Sequence, residues 1–245
     1  MTTVILTESP REVLNISTPC FITRYADEKR KKWMLDLGII ERNMITWVID
    51  NYFLDKNKVF LDIGANMGHY SILMSKYCKE IHAFEACKRI AYSLCGSIVL
   101  NDCDNITVYN EALGSPENEG KILNMTVAVN DGANSSFHPN WAKTLSSNND
   151  VDHIESKVIK TLDSFDIKHV DFIKIDVEGY EHEVLKGCIE TIEISGYPPI
   201  LFESCVGPHL NTREEFDNLK NFLENIGYKI TNMKSFDLYI ATKTM

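Results

Sequence analysis

The stretch from Val59 to Tyr70 constrains the fold more than any other part of this chain. A short apolar run, Val59-Phe60-Leu61-Asp62-Ile63, passes through Gly64-Ala65-Asn66-Met67-Gly68 into a helical pattern at Tyr70-Ser71-Ile72-Leu73-Met74. Strand, tight turn and helix in that order are the repeating unit of an open α/β sheet. The first such turn lies at the topological switch point, where a nucleotide-like ligand binds. Gly64 and Gly68 would let the backbone approach a ligand with no Cβ in the way. The helix that follows would offer unpaired N–H groups to an anion.

The spacing is not that of a dinucleotide fingerprint, because Asn66 stands where G-x-G-x-x-G has no place for it. An acid two residues before the first glycine, at the strand end, suits a ligand with a positive amine better than a pyrophosphate. S-adenosylmethionine (SAM) carries such an amine. A second acid, Glu85, ends the run Glu80-Ile81-His82-Ala83-Phe84, about twenty residues beyond the turn, where a ribose diol is gripped. An NAD-dependent oxidoreductase is the competing enzyme class, and the missing fingerprint counts against it.

Taken in order, residues 1–32 read as irregular, with Pro10 and Pro19 interrupting any long element. Apolar residues at helical spacing from Trp33 to Phe53, including Leu37, Ile40, Met44 and Val48, predict one or two helices before the first strand. Strands are predicted at 58–63, 80–84, 106–109, 170–175 and 200–202, with helices at 68–77, 88–100, 181–186 and 212–225. Gly187 would cap the third of these helices, and Thr212 with Glu215 forms a capping box for the fourth. Two alternating runs, 228–231 and 238–241, predict a closing antiparallel pair. The fold class is therefore α/β: a Rossmann-like seven-stranded sheet, mostly parallel with its last strand antiparallel and helices on both faces, plus an N-terminal helical extension. Residues 1–57 form that extension and 58–245 the main domain. Between 114 and 160 lies a polar insertion whose runs 121–127 and 156–161 could pair as a hairpin, and which could serve as a substrate lid.

A chain of 245 residues with 44% hydrophobic content has ample core for one such domain. Its net charge of -10 opposes phosphate backbones, so a nucleic-acid partner is disfavoured. The dense basic run Lys29-Arg30-Lys31-Lys32 follows Asp27-Glu28 and reads as a solvated helix face. Seven cysteines without a C-x-x-C suggest reduced thiols rather than a disulfide framework or zinc site. With no membrane span and no secretion signal, the expected location is cytoplasmic.

Several segments in consistent order over residues 40–205 resemble the FkbM family of class I SAM-dependent methyltransferases. They are Phe60 to Gly68, Ala83-Phe84-Glu85, Asn110-Glu111-Ala112-Leu113-Gly114, Asn134-Ser135-Ser136, Thr161-Leu162-Asp163 and Ile173 to Glu181, with Glu41 matching a glutamate usual upstream of the first strand. The resemblance implies donor contacts along Asp62, Gly64, Ala65, Asn66, Gly68 and Tyr70. It implies Glu85 with Ala86 at the ribose, and Glu111 with Ala112 at the adenine edge. The chain departs from the family at His69, usually aromatic or aliphatic, and at Cys87, usually proline.

Methyl transfer from a sulfonium is an in-line displacement, for which alignment can supply roughly 7–11 kcal/mol. A general base for an alcohol proton adds about 10²–10⁴-fold. Asp176, ending the fourth strand, is the first candidate for the base or for anchoring the acceptor; Glu203, ending the fifth, is the second, and Glu178 the third. Asp176 and Glu203 could instead hold a Mg²⁺, and Asp176 could be only a helix cap. His209 could be the base, whereas His182 reads as a helix-surface residue. The expected function is SAM-dependent methyl transfer to a hydroxyl of a small-molecule, sugar or lipid-like acceptor. The alternatives are a non-catalytic SAM- or nucleoside-binding module and an RNA 2′-O-methyltransferase.

Overall fold

The computed structural model describes residues 4–8, 20–24, 41–129, 134–204, 212–233 and 237–244. Leu37, Ile40, the Lys29–Lys32 run and His209 lie outside them. Near the N-terminus, β1 (Val4–Glu8) and β2 (Cys20–Arg24) pair antiparallel, where the sequence predicts irregular chain. Pro10 and Pro19 fall between the two strands in sequence, so the ladder needs no N–H from either. Helix α1 (Arg42–Tyr52) then buries Met44, Ile45 and Val48 against the core.

The alternating unit follows: β3 (Val59–Ile63), α2 (His69–Met74), β4 (Glu80–Phe84), α3 (Lys88–Leu100) and β5 (Ile106–Tyr109). The insertion holds β6 (Ala112–Leu113), β7 (Ile122–Ala128), α4 (Pro139–Ser147) and β8 (Val151–Lys160). The chain closes with β9 (Phe172–Ile175), α5 (Glu181–Lys186), α6 (Ile189–Ile194), β10 (Ile200–Glu203), α7 (Arg213–Asn225), β11 (Tyr228–Asn232) and β12 (Leu238–Lys243).

Among the described residues the main sheet has seven strands in the order β11-β12-β10-β9-β3-β4-β5. Strands β10, β9, β3, β4 and β5 run parallel, while β12 is antiparallel to both neighbours. The order turns back at β3, between β4 and β9, so the switch point falls at the Gly64 turn. Side chains alternate across the pleat. Phe60 and Phe172 join α1 and α2 on one face, and Leu61, Ile63, Ile173 and Ile175 meet α5, α6 and α7 on the other. Helix α7 opens on the predicted capping box: Thr212 Oγ1 accepts the Glu215 N–H at 3.1 Å, and Glu215 Oε2 accepts the Thr212 N–H at 2.6 Å. It buries Phe216, Leu219 and Leu223 on one stripe.

The two runs predicted in the insertion pair antiparallel, from Ile122 opposite Val158 to Ala128 opposite Val151, and β6 adds to the far side of β8. Helices α4 and α6 were not anticipated. Among the described residues no helix is long and apolar enough to cross a membrane.

Candidate active site

A cleft of about 630 Å³, part of it open to solvent, lies along the carboxyl ends of β3, β4, β5 and β9. Its floor is Ile63, Gly64, Asn66 and Phe84, and its rims carry Glu85, Glu111, Asp176 and Glu178. The insertion supplies a third side through Met125, Ser135 and Phe137, with Phe137 5.6 Å from the Tyr180 ring.

Three left-handed residues shape the turn: Gly64 at φ 75°, Asn66 at 51° and Gly68 at 97°. Asparagine tolerates that region better than other side chains, which accounts for Asn66 among the glycines. The turn amides are consumed inside the chain. Gly64 and Ala65 both donate to the Phe84 carbonyl at 2.9 Å, Gly68 donates to Ala65, and the Met67 N–H reaches Asn66 Oδ1 at 2.7 Å. The turn itself therefore leaves few amides for a ligand, and any N–H groups offered to an anion would have to come from the first turn of α2. The glycine roles also widen. A Cβ on Gly64 would strike the Asp176 carbonyl, and one on Gly68 would strike Leu94, so both positions are also required by internal packing, while Gly64 still lines the cleft.

Asp62 does not reach the cleft. It is 0% exposed, its Oδ2 accepts from Ser71 Oγ at 2.6 Å, and its Oδ1 lies 3.8 Å from Lys174 Nζ. The cation beside Asp62 in this structure is the chain's own Lys174 ammonium. Burial raises the Asp62 carboxyl, while Lys174 and Ser71 pull it down. Ala65 and Ala112 are buried, and Ala112 serves the β6 ladder. Tyr70 is also buried and donates its hydroxyl to Glu41 Oε2 at 2.6 Å. His69 stays neutral, since burial and then Lys174 lower it to about 4.

Glu85 is placed where the sequence puts it. Its Oε2 accepts the Asn66 N–H at 2.9 Å and its Oε1 the Cys87 N–H at 2.8 Å. A proline at position 87, usual in the family that the sequence resembles, has no N–H to give. The departure at Cys87 therefore adds a fastening for this carboxylate. Asn110 Nδ2 donates to the carbonyls of Glu85 and Ala86 at 2.8 and 3.0 Å, fixing the loop from the β5 side. Burial pushes Glu85 up to about 7 against the pull of its two amide donors. Glu111 lines the adjoining rim and is paired with Lys160 at 2.7 Å.

At the opposite rim, Asp176 Oδ2 sits 3.1 Å from Lys174 Nζ. Glu178 adopts φ 54°, and its carbonyl accepts from Ser136 Oγ at 2.6 Å, which fastens the insertion to the site. A second fastening joins His138 Nε2 to Glu215 Oε1 at 3.0 Å. Burial first, then the charges of Asp176, Glu203 and Glu181, raise Glu178 well above the carboxylate range. Glu203 is half-buried and lies outside the described cleft wall. Among the described residues no group of three or more His, Cys, Asp or Glu is placed to hold a metal ion. The cation beside Asp176 is Lys174.

Sequence reasoning assigned no role to Lys174 or Glu181, and it did not single out the insertion residues Met125, Ser135 and Phe137 that line the cleft. Glu181 Oε1 accepts the Val177 and Gly179 amides at 3.1 Å, and burial brings its carboxyl to about 7. The signal for Lys174 was available, as a lysine between isoleucines in an apolar strand. Glu85, Glu178 and Glu181 all hold protons more tightly folded than unfolded. Their stabilisation is complete below the unfolded value near 4.5; for Glu85 and Glu181 it is lost as pH rises through about 7, and Glu178 acts in the same direction. The depressed histidines, His69, His82 and His182, act oppositely only below about 6.5. The melting temperature is therefore expected to rise as pH falls from about 8 to about 6.5, and Glu181→Gln to flatten that slope. A melting temperature that falls over this window would contradict the assignment.

A mostly parallel sheet with its order reversed at β3, and acids at the strand tips around one cleft, defines the Rossmann-like methyltransferase fold. Residues 62–230 match the family profile of the methyltransferase FkbM domain, more than half of the chain, and the chain belongs to that family. A ribosomal RNA small subunit methyltransferase A from Macrococcus caseolyticus (strain JCSC5402) is 30% identical over 103 residues. The match takes in 41% of this chain and 34% of that protein, so this chain spans about a third of that relative's length. Among solved structures, a putative rRNA-methylase from Clostridium thermocellum superposes with TM-score 0.51 at 7% identity, covering 82% of this chain and 96% of the other. A methyltransferase FkbM from Methylobacillus flagellatus KT gives TM-score 0.48 at 18% identity, covering 76% and 43%.

Proposed function

We propose that the protein transfers a methyl group from SAM to a hydroxyl oxygen of a small-molecule, sugar or lipid-like acceptor. The observation that carries this reading is a single cleft with Glu85 at the tip of β4, Asp176 at the tip of β9, and Gly64 and Asn66 between them. Family membership supports SAM as donor. The residues present fit it: four carboxyl groups and no lysine or arginine line the described wall, which suits a cationic sulfonium and a ribose diol. Bound SAM supplies an electrophilic methyl carbon. Glu85 would accept ribose hydroxyls with the lone pairs that Asn66 and Cys87 leave free, and Gly64 and Asn66 would bound the methionine part. Asp176 would orient the acceptor hydroxyl and take its proton as the O–C bond forms and the C–S bond breaks. Met125, Phe137 and Tyr180 form the acceptor's apolar wall, so the insertion acts as a fixed side of the site. The free thiols of Cys78, Cys87, Cys95, Cys103 and Cys188 agree with a cytoplasmic setting.

SAM at about a hundred times its dissociation constant adds about 2.7 kcal/mol to stability, or roughly 5–11 °C of melting temperature for a domain of this size. Glu85→Ala is expected to remove that shift, through a loss of about 100-fold in affinity as two charge-assisted hydrogen bonds disappear. A wild-type protein that melts identically with and without millimolar SAM would sink the proposal. An RNA 2′-hydroxyl as acceptor is the second reading; the likeness to a ribosomal RNA methyltransferase favours RNA as a substrate class without naming the atom, and the net charge of -10 opposes it. Salt-dependent RNA binding would move the choice toward it.

A further inference from the structure

We infer that Lys174 is a positioning residue whose ammonium ties the donor side of the cleft, at Gly64, to the acceptor side, at Asp176. The inference rests on the donor reading above and deepens it. Lys174 is 5% exposed and sits on β9 in register with Asp62 on β3, so the two strands bury one opposite-charge pair side by side. Its Nζ lies 3.1 Å from Asp176 Oδ2, 3.2 Å from the Gly64 carbonyl and 3.8 Å from Asp62 Oδ1, and 5.2 Å from the centre of the Tyr70 ring. Two hydrogen bonds from one ammonium thus bridge two loops that are 112 residues apart in sequence, with Asp62 as a nearby counter-charge, and both loops line the cleft. An apolar residue could fill the same space; only a cation can hold a carbonyl and two carboxylates together there.

The surroundings set the expected pH behaviour. Asp62 comes from β3, Glu41 from the start of α1, His69 and Tyr70 from α2, Glu85 from the loop after β4, and Asp176 and Glu178 from the loop after β9. Apart from neutral His69 and Tyr70, every one of these is a carboxyl group. With Lys174 removed, the remaining carboxyls lie close together without a counter-charge. They repel one another more as each ionises, spreading the two loops that the donor must span.

The test is calorimetric binding of S-adenosylhomocysteine (SAH) to the full chain at about pH 6, 7.5 and 8.5, comparing wild type with Lys174→Met. Lys174 also lowers the Glu85 carboxyl, so the ratio of dissociation constants carries the altered titration of Glu85 together with the repulsion between the loops. That ratio is expected to grow from about 3-fold at the lowest pH to about 30-fold at the highest. A ratio near one, or a loss of the same size at every pH, would overturn the inference by leaving the lysine a packing role only. Should Lys174→Met fail to fold, Lys174→Met/Asp62→Asn removes one carboxylate with the cation, and its ratio is expected to grow in the same direction but less steeply. Failure of both to fold would also overturn it, assigning the lysine to stability alone. Wild type that binds no SAH at all would remove the donor reading itself, an outcome distinct from the others because it precedes any substitution.

Discussion

Gly64→Ala is expected to lower the melting temperature by roughly 6–12 °C, an effect of about 3 kcal/mol or more in a domain of this size. Two costs coincide at this position. The backbone is at φ 75°, where an L side chain loses about 1–2 kcal/mol. The added Cβ would also lie 1.7 Å from the Asp176 carbonyl oxygen and 2.7 Å from its carbon. Neither atom is the free end of a side chain. Asp176 is anchored by its own N–H to the Ile63 carbonyl at 3.0 Å and by its carboxylate to Lys174. Relief therefore means separating β3 from β9 at the centre of the sheet. Gly120→Ala is the control, because φ is 77° there but nothing lies within 4 Å of the added carbon. It should lose only the conformational part, about 1 kcal/mol. If the two variants melt together, the close approach of Gly64 to Asp176 is not what holds these loops.

The strands and the switch point were legible because their signal is local. Phe60-Leu61-Asp62-Ile63 and Phe172-Ile173-Lys174-Ile175 are each apolar runs ending at a turn, and a parallel sheet buried on both faces asks for little else. The same locality explains the errors. The sequence pairs Asp62 with a ligand amine alone because the nearby cation, Lys174, stands 112 residues later, and only the register of β3 against β9 brings them together. Helix α4 was hidden inside a polar segment; Pro139 is its first residue, and it buries only Leu145 deeply. The turn amides find their acceptors, the Phe84 carbonyl and the Glu85 carboxylate, at the end of the next strand and just beyond it, which no local pattern shows. Glu85 itself was found, as its distance from the turn is fixed by one helix and one strand. The wall of Met125 and Phe137 was not, because spacing carries no information on where a long insertion folds back.

Asp176→Asn is expected to reduce the rate of SAH release with a hydroxyl acceptor by about 10²–10⁴-fold, while SAH affinity changes by less than about 5-fold. The amide keeps the shape of the side chain, and its oxygen can still accept from Lys174, so the turn and the donor floor should persist. What it cannot do is take a proton or strengthen its hold on the acceptor as charge develops. The rate left over measures alignment alone, which is the larger contribution to methyl transfer. Glu178→Gln provides the contrast. Burial and the neighbouring Asp176, Glu203 and Glu181 raise the Glu178 carboxyl well above the usual carboxylate range, so it ionises less readily than an ordinary carboxylate. An amide in its place should cost about 10-fold at most. The reverse ranking, with Glu178→Gln the more damaging, would transfer the base to Glu178 and leave Asp176 as an anchor for the two loops.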